Sequence, residues 1–135
     1  MRRVFADTQY WIARINPRDQ WHQRAKAAGA ALAQTPLVTS DEVLTEVLAH
    51  FSAGGPTVRL RGVNIIRGLF TNPQIEILPQ SRQSFLAGLS LYEARPDKGY
   101  SLTDCISMEA MRREGITEAL TGDQHFAQEG FALLL

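Results

Sequence analysis

Cysteine is nearly absent. Cys105 is the lone example in 135 residues, which excludes an internal disulfide framework and a paired-cysteine metal knuckle. No base stands near Cys105 in sequence to activate it, so it reads as a small buried apolar side chain rather than a nucleophile. No apolar run approaches the roughly 20 residues that a membrane span needs. The opening M-R-R-V-F-A-D-T carries two arginines but no signal-peptide core after them, so the expected location is the cytoplasm, with no membrane partner. Lysine is scarce too. Only Lys26 and Lys98 occur, so arginine supplies the rest of the 14 basic residues, which balance 14 acidic ones at net charge zero. The sum gives no sign of a polyanion partner. G-x-G-x-x-G, the P-loop, H-E-x-x-H and G-x-S-x-G are all missing, which removes the motif-borne nucleotide, zinc-protease and serine-hydrolase readings.

What is present alternates between short apolar runs and longer amphipathic segments. Arg3-Val4-Phe5-Ala6, Pro36 to Thr39, Ile75 to Leu78, a piece of Ile116 to Thr121, and Phe131 to Leu135 read as five strands. Helices are expected over Thr8–Ile15, from Asp19 to about Gln34, over Asp41–Phe51, Thr57–Phe70, Ser81–Ala94 and Thr103–Glu114, with a short turn after Gly122. Asn16-Pro17, Ala53-Gly54-Gly55-Pro56, Asn72-Pro73 and Gly115 punctuate them. Strands alternating with helices imply one α/β domain over residues 1–135, with a mostly parallel, sandwiched sheet. Ligands of such sheets sit beyond the carboxyl ends of the strands.

Four acids fall at that rim. Asp7 closes the first strand, Glu46 lies on the helix leaving the second, Asp104 begins the helix leading into the fourth, and Asp123 follows the fourth. They converge if the first and fourth strands are neighbours, an adjacency that spacing alone does not establish. Crowded carboxylates repel and raise one another's pKa. Either solvent and arginines screen them or divalent cations neutralise them. Oxygen ligands with no cysteine and no paired histidine point to Mg²⁺ or Mn²⁺. The matching chemistry is phosphodiester hydrolysis by a metal-activated water.

The stretches F-A-D-T, T-S-D-E-V-L-T-E, D-K-G-Y-S-L-T-D-C and L-T-G-D-Q-H-F give the chain its resemblance to the PIN-domain ribonucleases, and within them to the VapC-type toxins of toxin–antitoxin pairs. The resemblance covers essentially the whole chain. It implies a PIN-like three-layer α/β sandwich with about five strands, and a metal-dependent endoribonuclease. Asp7, Glu46, Asp104 and Asp123 would be both catalytic and metal-binding, holding Mg²⁺ or Mn²⁺. Thr8, Thr103 and Lys98 would support those acids or contact phosphate. RNA is the implied substrate, an antitoxin protein the implied partner, and a homodimer the implied assembly. Gln9 departs from the family pattern, which has a smaller polar residue such as Asn or Ser there.

Several residues carry a plainer reading beside the functional one. Glu42 lies one turn from Glu46, with His50 on the same stripe, and periodicity does not choose between the two acids; the resemblance selects Glu46. Asp97 and Lys98 read as a solvated turn, and His125 as a packing or hydrogen-bonding group rather than a ligand. Arg59, Arg61 and Arg67 fit a solvated helix face as well as an RNA path. Trp11 and Trp21 fit core or dimer packing better than base stacking. Two rival functions use the same acids: a nuclease specific for DNA or for nucleic-acid structure, and a non-catalytic PIN-like binding module.

Overall fold

The computed structural model describes residues 1–135. The chain runs β1 (Val4–Ala6), α1 (Thr8–Ile15), α2 (His22–Ala31), β2 (Leu37–Ser40), α3 (Asp41–Phe51), α4 (Pro56–Thr71), β3 (Ile75–Leu78), α5 (Arg82–Ala94), α6 (Leu102–Glu114), β4 (Glu118–Leu120), α7 (Gln124–Gln128) and β5 (Ala132–Leu133). All five strands form one parallel sheet in the order β3-β2-β1-β4-β5. Every residue of β1 and β2 is buried, as expected where helices cover both faces of a parallel sheet. β1 pairs with β2 through Val4–Leu37 and Phe5–Val38, and with β4 through Phe5–Ala119 and Ala6–Leu120.

That order makes the β1–β4 edge the point where the winding reverses. The chain goes from β1 outward through β2 to β3, then returns to the other side of β1 with β4 and β5. A crevice opens beyond the strand ends at such a switch point. Asp7 and Thr121 directly follow the two strands that flank it, and the Asp7 N–H donates to the Leu120 carbonyl at 3.3 Å. The adjacency left open by the sequence is therefore present.

Local sequence sets most of the boundaries. Ser40 and Ser81 cap α3 and α5, their hydroxyls accepting from the Val43 and Ser84 amides; such caps are worth about 1 kcal/mol each. Pro56 opens α4, where its missing N–H costs nothing. Gly115 ends α6 at φ +69°, a left-handed conformation that glycine adopts without penalty. Gly88 of α5 lies so close to α6 that a Cβ there would stand 3.0 Å from the Ile106 backbone nitrogen. A side chain at 88 would push α6, and with it Asp104, away from α5.

The second helix is shorter than expected. Asp19 accepts from the Trp21 N–H at 2.8 Å, and its own N–H donates to the Asn16 carbonyl. These turns delay regular helix to His22. At the other end a turn takes over after Ala31, closed by the Thr35 N–H donating to the Leu32 carbonyl at 2.9 Å. The fourth and fifth strands occupy only Glu118–Leu120 and Ala132–Leu133 of the longer apolar runs that contain them.

Trp11 and Cys105 are core residues, at 5% and 0% exposure. Trp11 also donates its indole N–H to Thr39 Oγ1 at 3.2 Å, and Thr39 donates to the Ala6 carbonyl at 2.9 Å. This relay ties α1 to β2 and β1 just behind Asp7. No helix is long and apolar enough to cross a membrane.

A candidate metal centre at the strand switch point

The site begins with Asp7, which occupies the N-cap position of α1 but does not cap it with its side chain. The carboxylate is left to face the switch point at 5% exposure. Its pKa is pushed up to about 7: burial dominates, the charges of Asp104 and Glu46 add to it, and hydrogen bonds from the Thr8 amide and the Thr121 hydroxyl oppose it. Thr121 donates to Asp7 Oδ2 at 3.1 Å while accepting from the Asp123 N–H at 3.1 Å. One hydroxyl thus couples the ends of β1 and β4. Gln9 completes the join, its Oε1 accepting from the Gly122 N–H at 2.7 Å. The longer side chain at this position, a departure from the family pattern, reaches the β4–α7 turn and fixes it.

Asp104 answers to two demands at once. Ser101 caps α6, its Oγ accepting from the Asp104 N–H at 3.0 Å, and Asp104 Oδ2 accepts from the Ser101 N–H at 3.0 Å. This reciprocal box locks the carboxylate at the helix start. Burial raises its pKa first, with the charges of Asp123 and Glu46 adding and the Ser101 hydrogen bonds opposing. Asp123 caps the short α7 through its contact with the His125 N–H at 2.9 Å. Glu46 projects from the second turn of α3, half-buried, and its charge acts on both Asp7 and Asp104. The structure therefore brings all four acids into one electrostatic neighbourhood.

No arginine or lysine forms an ion pair with any of the four. Four arginines pair with other acids instead: Arg2 with Glu118, Arg3 with Glu76 and Glu114, Arg95 and Arg112 with Glu129. Of the two ways to balance these carboxylates, screening by arginine is thus absent. Glu42 has its own partner, the Ser84 hydroxyl at 3.1 Å, which draws it toward the start of α5 and leaves Glu46 as the acid of α3 that interacts with Asp7.

The supporting positions divide. Thr8 is buried at 8% exposure with its hydroxyl lacking any hydrogen-bond partner, so it retains a free polar atom beside Asp7. Thr103 sits at the second position of α6, half-buried. Lys98 lies in the exposed loop before α6, 3.9 Å from Asp97, a solvated turn as its sequence suggests. Arg59 donates to the Ser52 carbonyl on the exposed face of α4.

Sequence alone does not single out Thr121, Gln9 as a bridge, or the group around Glu129. His125, expected to pack or hydrogen-bond, does only the first. It packs edge-on against Tyr100, with ring centroids 5.2 Å apart, but its Nδ1 is buried without a hydrogen-bond partner. Tyr100 in turn donates to Glu129 at 2.9 Å, and Glu129 accepts from Arg95 and Arg112. These contacts hold the Glu129 carboxyl down to about 2 against the opposing effect of burial. The stretch L-T-G-D-Q-H-F contains both Thr121 and His125, but Asp7 and Tyr100, which they meet, lie far away in the chain and leave no local signal.

The donor set fits a divalent cation. Asp104, Asp123 and His125 offer donor atoms within 4.8 Å of one another, the charge of Glu46 acts on Asp104 and on Asp7, and no arginine or lysine is paired with any of these acids. Oxygen-rich sites of this kind suit Mg²⁺ and Mn²⁺.

The fold has known counterparts. The solved structure of VapC20 from Mycobacterium tuberculosis, described as a sarcin-ricin-loop-cleaving toxin, superposes with a TM-score of 0.82 at 23% identity, covering 96% of each chain. VapBC2 from Rickettsia felis, solved on a DNA fragment from its promoter, gives 0.70 at 16% identity over 97% of this chain and 96% of that one. FitAcB from Neisseria gonorrhoeae gives 0.66 at 14%, over 96% and 95%. At such identities the likeness is one of fold. Curated protein sequences give no significant match. The PIN domain family model, however, matches residues 4–131, a span that contains all four converging acids; the chain belongs to the PIN domain family.

Proposed function

We propose that this protein is a Mg²⁺- or Mn²⁺-dependent endoribonuclease, and the toxin of a toxin–antitoxin pair. One observation carries the reading: the charges of Asp104 and Glu46 act on Asp7, those of Asp123 and Glu46 act on Asp104, and no arginine or lysine is paired with any of the four. Such a cluster repels a phosphate until cations enter it, and then attracts one. The fold likeness to a toxin described as cleaving the sarcin-ricin loop supports RNA as the substrate class.

In this reading the four carboxylates would hold the ion, which would supply Lewis-acid polarisation of a phosphoryl oxygen and an acidified water. The chain does the rest. Thr121 fixes Asp7 relative to Asp123, and the Ser101 box fixes Asp104 at the mouth of α6. Asp7, whose carboxyl is pushed up to about 7 chiefly by burial, would hold the ion in its ionised form. No side chain acts as a covalent nucleophile. An antitoxin chain and a homodimer belong to the same reading. The exposed apolar residues Phe85, Leu86, Leu89 and Tyr92 of α5 support a protein partner.

Matched RNA and DNA oligonucleotides incubated with Mn²⁺, Mg²⁺ or EDTA test the proposal. Expected are internal RNA cuts that require a divalent cation, stop in EDTA, spare the DNA and leave no 2′,3′-cyclic phosphate, since water rather than the 2′-hydroxyl attacks. Cutting of DNA in preference would make it a DNA nuclease. No cleavage of either, with no Mn²⁺-induced rise in melting temperature, would make it a binding module.

A further inference from the structure

We propose that His125 Nδ1 is a direct ligand of the cation held by Asp104 and Asp123, and that it biases the site toward Mn²⁺ over Mg²⁺. The inference rests on the metal-dependent reading above and deepens it.

Asp104, Asp123 and His125 each offer one donor atom, and these atoms lie within 4.8 Å of one another. His125 Nδ1 stands 3.5 Å from Asp104 Oδ2 and 3.4 Å from Asp123 Oδ1. That spacing is long for a hydrogen bond to either oxygen, and Nδ1 makes none to any group although the atom is fully buried. A buried, unpartnered polar nitrogen is costly. The same spacing is what one ion imposes: donors about 2.0–2.2 Å from a common centre sit roughly 3.0–3.5 Å apart.

The ring is also held in place. Tyr100 packs edge-on against it, and the Tyr100 hydroxyl is fixed by Glu129, which Arg95 and Arg112 clamp in turn. A ligand restrained in this way loses little rotational freedom on binding an ion. An imidazole donor changes the selectivity of an otherwise all-oxygen site. Mg²⁺ favours oxygen donors and keeps its waters, whereas first-row transition ions gain from nitrogen.

Electron spin echo spectroscopy of the whole protein loaded with Mn²⁺ reads the proposal directly. Expected is nitrogen modulation of a coordinated imidazole, which changes from the ¹⁴N to the ¹⁵N pattern when the histidines are ¹⁵N-labelled. His125→Asn abolishes it, weakens Mn²⁺ binding by about tenfold or more, and leaves competitive Mg²⁺ binding much less affected. Mn²⁺ bound without nitrogen modulation would overturn the proposal and leave the four-acid centre standing. Failure to bind Mn²⁺ at all would remove both. The labelled wild-type experiment decides the matter even where the variant fails to fold.

Discussion

Asp104→Asn is expected to lower the proposed RNA cleavage by at least about 100-fold while the protein stays folded. The two halves of this result come from the two jobs of one side chain. As a cap, Asp104 needs only an oxygen that accepts from the Ser101 N–H, and the Asn carbonyl oxygen supplies it. As part of the acidic cluster it needs a charge, which Asn lacks. Because Asp104 is repelled by Asp123 and Glu46, the cation-free variant is expected to melt no lower than the wild type. Cleavage rates on one RNA, together with melting curves in EDTA, check both halves. Undiminished cleavage by a folded Asp104→Asn would contradict the assigned role.

Without divalent cations, the stability of this protein is expected to fall as pH rises from about 4 to about 7, the reverse of the usual carboxylate behaviour. In the unfolded chain Asp7 ionises near its ordinary value of 3.8; in the folded one it holds its proton to about 7. Across that window the native state binds more protons than the unfolded state, so raising pH favours unfolding. The limiting slope for one such group is about 1.4 kcal/mol per pH unit. Asp104, also raised, acts in the same direction. Glu129 acts oppositely: its folded pKa is lowered to about 2, so its contribution is complete above the unfolded value and is lost as pH drops toward 2. Cation-free stability should therefore peak at about pH 4–5. Urea unfolding in EDTA at about pH 4.5, 6 and 8 measures the decline, and Asp7→Asn should flatten it. Mn²⁺ at the alkaline end should restore the loss, because it binds the folded, ionised cluster. A wild-type stability that rises through this window in EDTA would show that Asp7 is not the buried proton-holding group described.

Much of this fold is written locally. Ser40, Pro56, Ser81 and Gly115 mark helix ends by their own chemistry, and α1, α3 and β3 lie where the apolar pattern puts them. What local pattern does not carry is the pairing of β1 with β4, whose partners Phe5 and Ala119 stand near opposite ends of the chain. That single long-range pairing is what turns four scattered acids into a cluster. The choice between Glu42 and Glu46 is likewise not available from α3 alone. It depends on Ser84, a residue of a different helix, which takes up Glu42. Thr121, Gln9 and His125 owe their positions to bonds and packing with distant segments. The second helix starts late for the opposite reason: Asp19 has the right side chain for a cap, but uses it to close a turn first.

The account rests on one proposal: that these carboxylates together take up divalent cations. Anomalous diffraction from a crystal soaked in Mn²⁺ is the most direct test. The predicted result is a manganese peak bounded by the carboxylates of Asp7, Glu46, Asp104 and Asp123. A crystal at saturating Mn²⁺ with no peak there, or with manganese bound only on another surface, would contradict it.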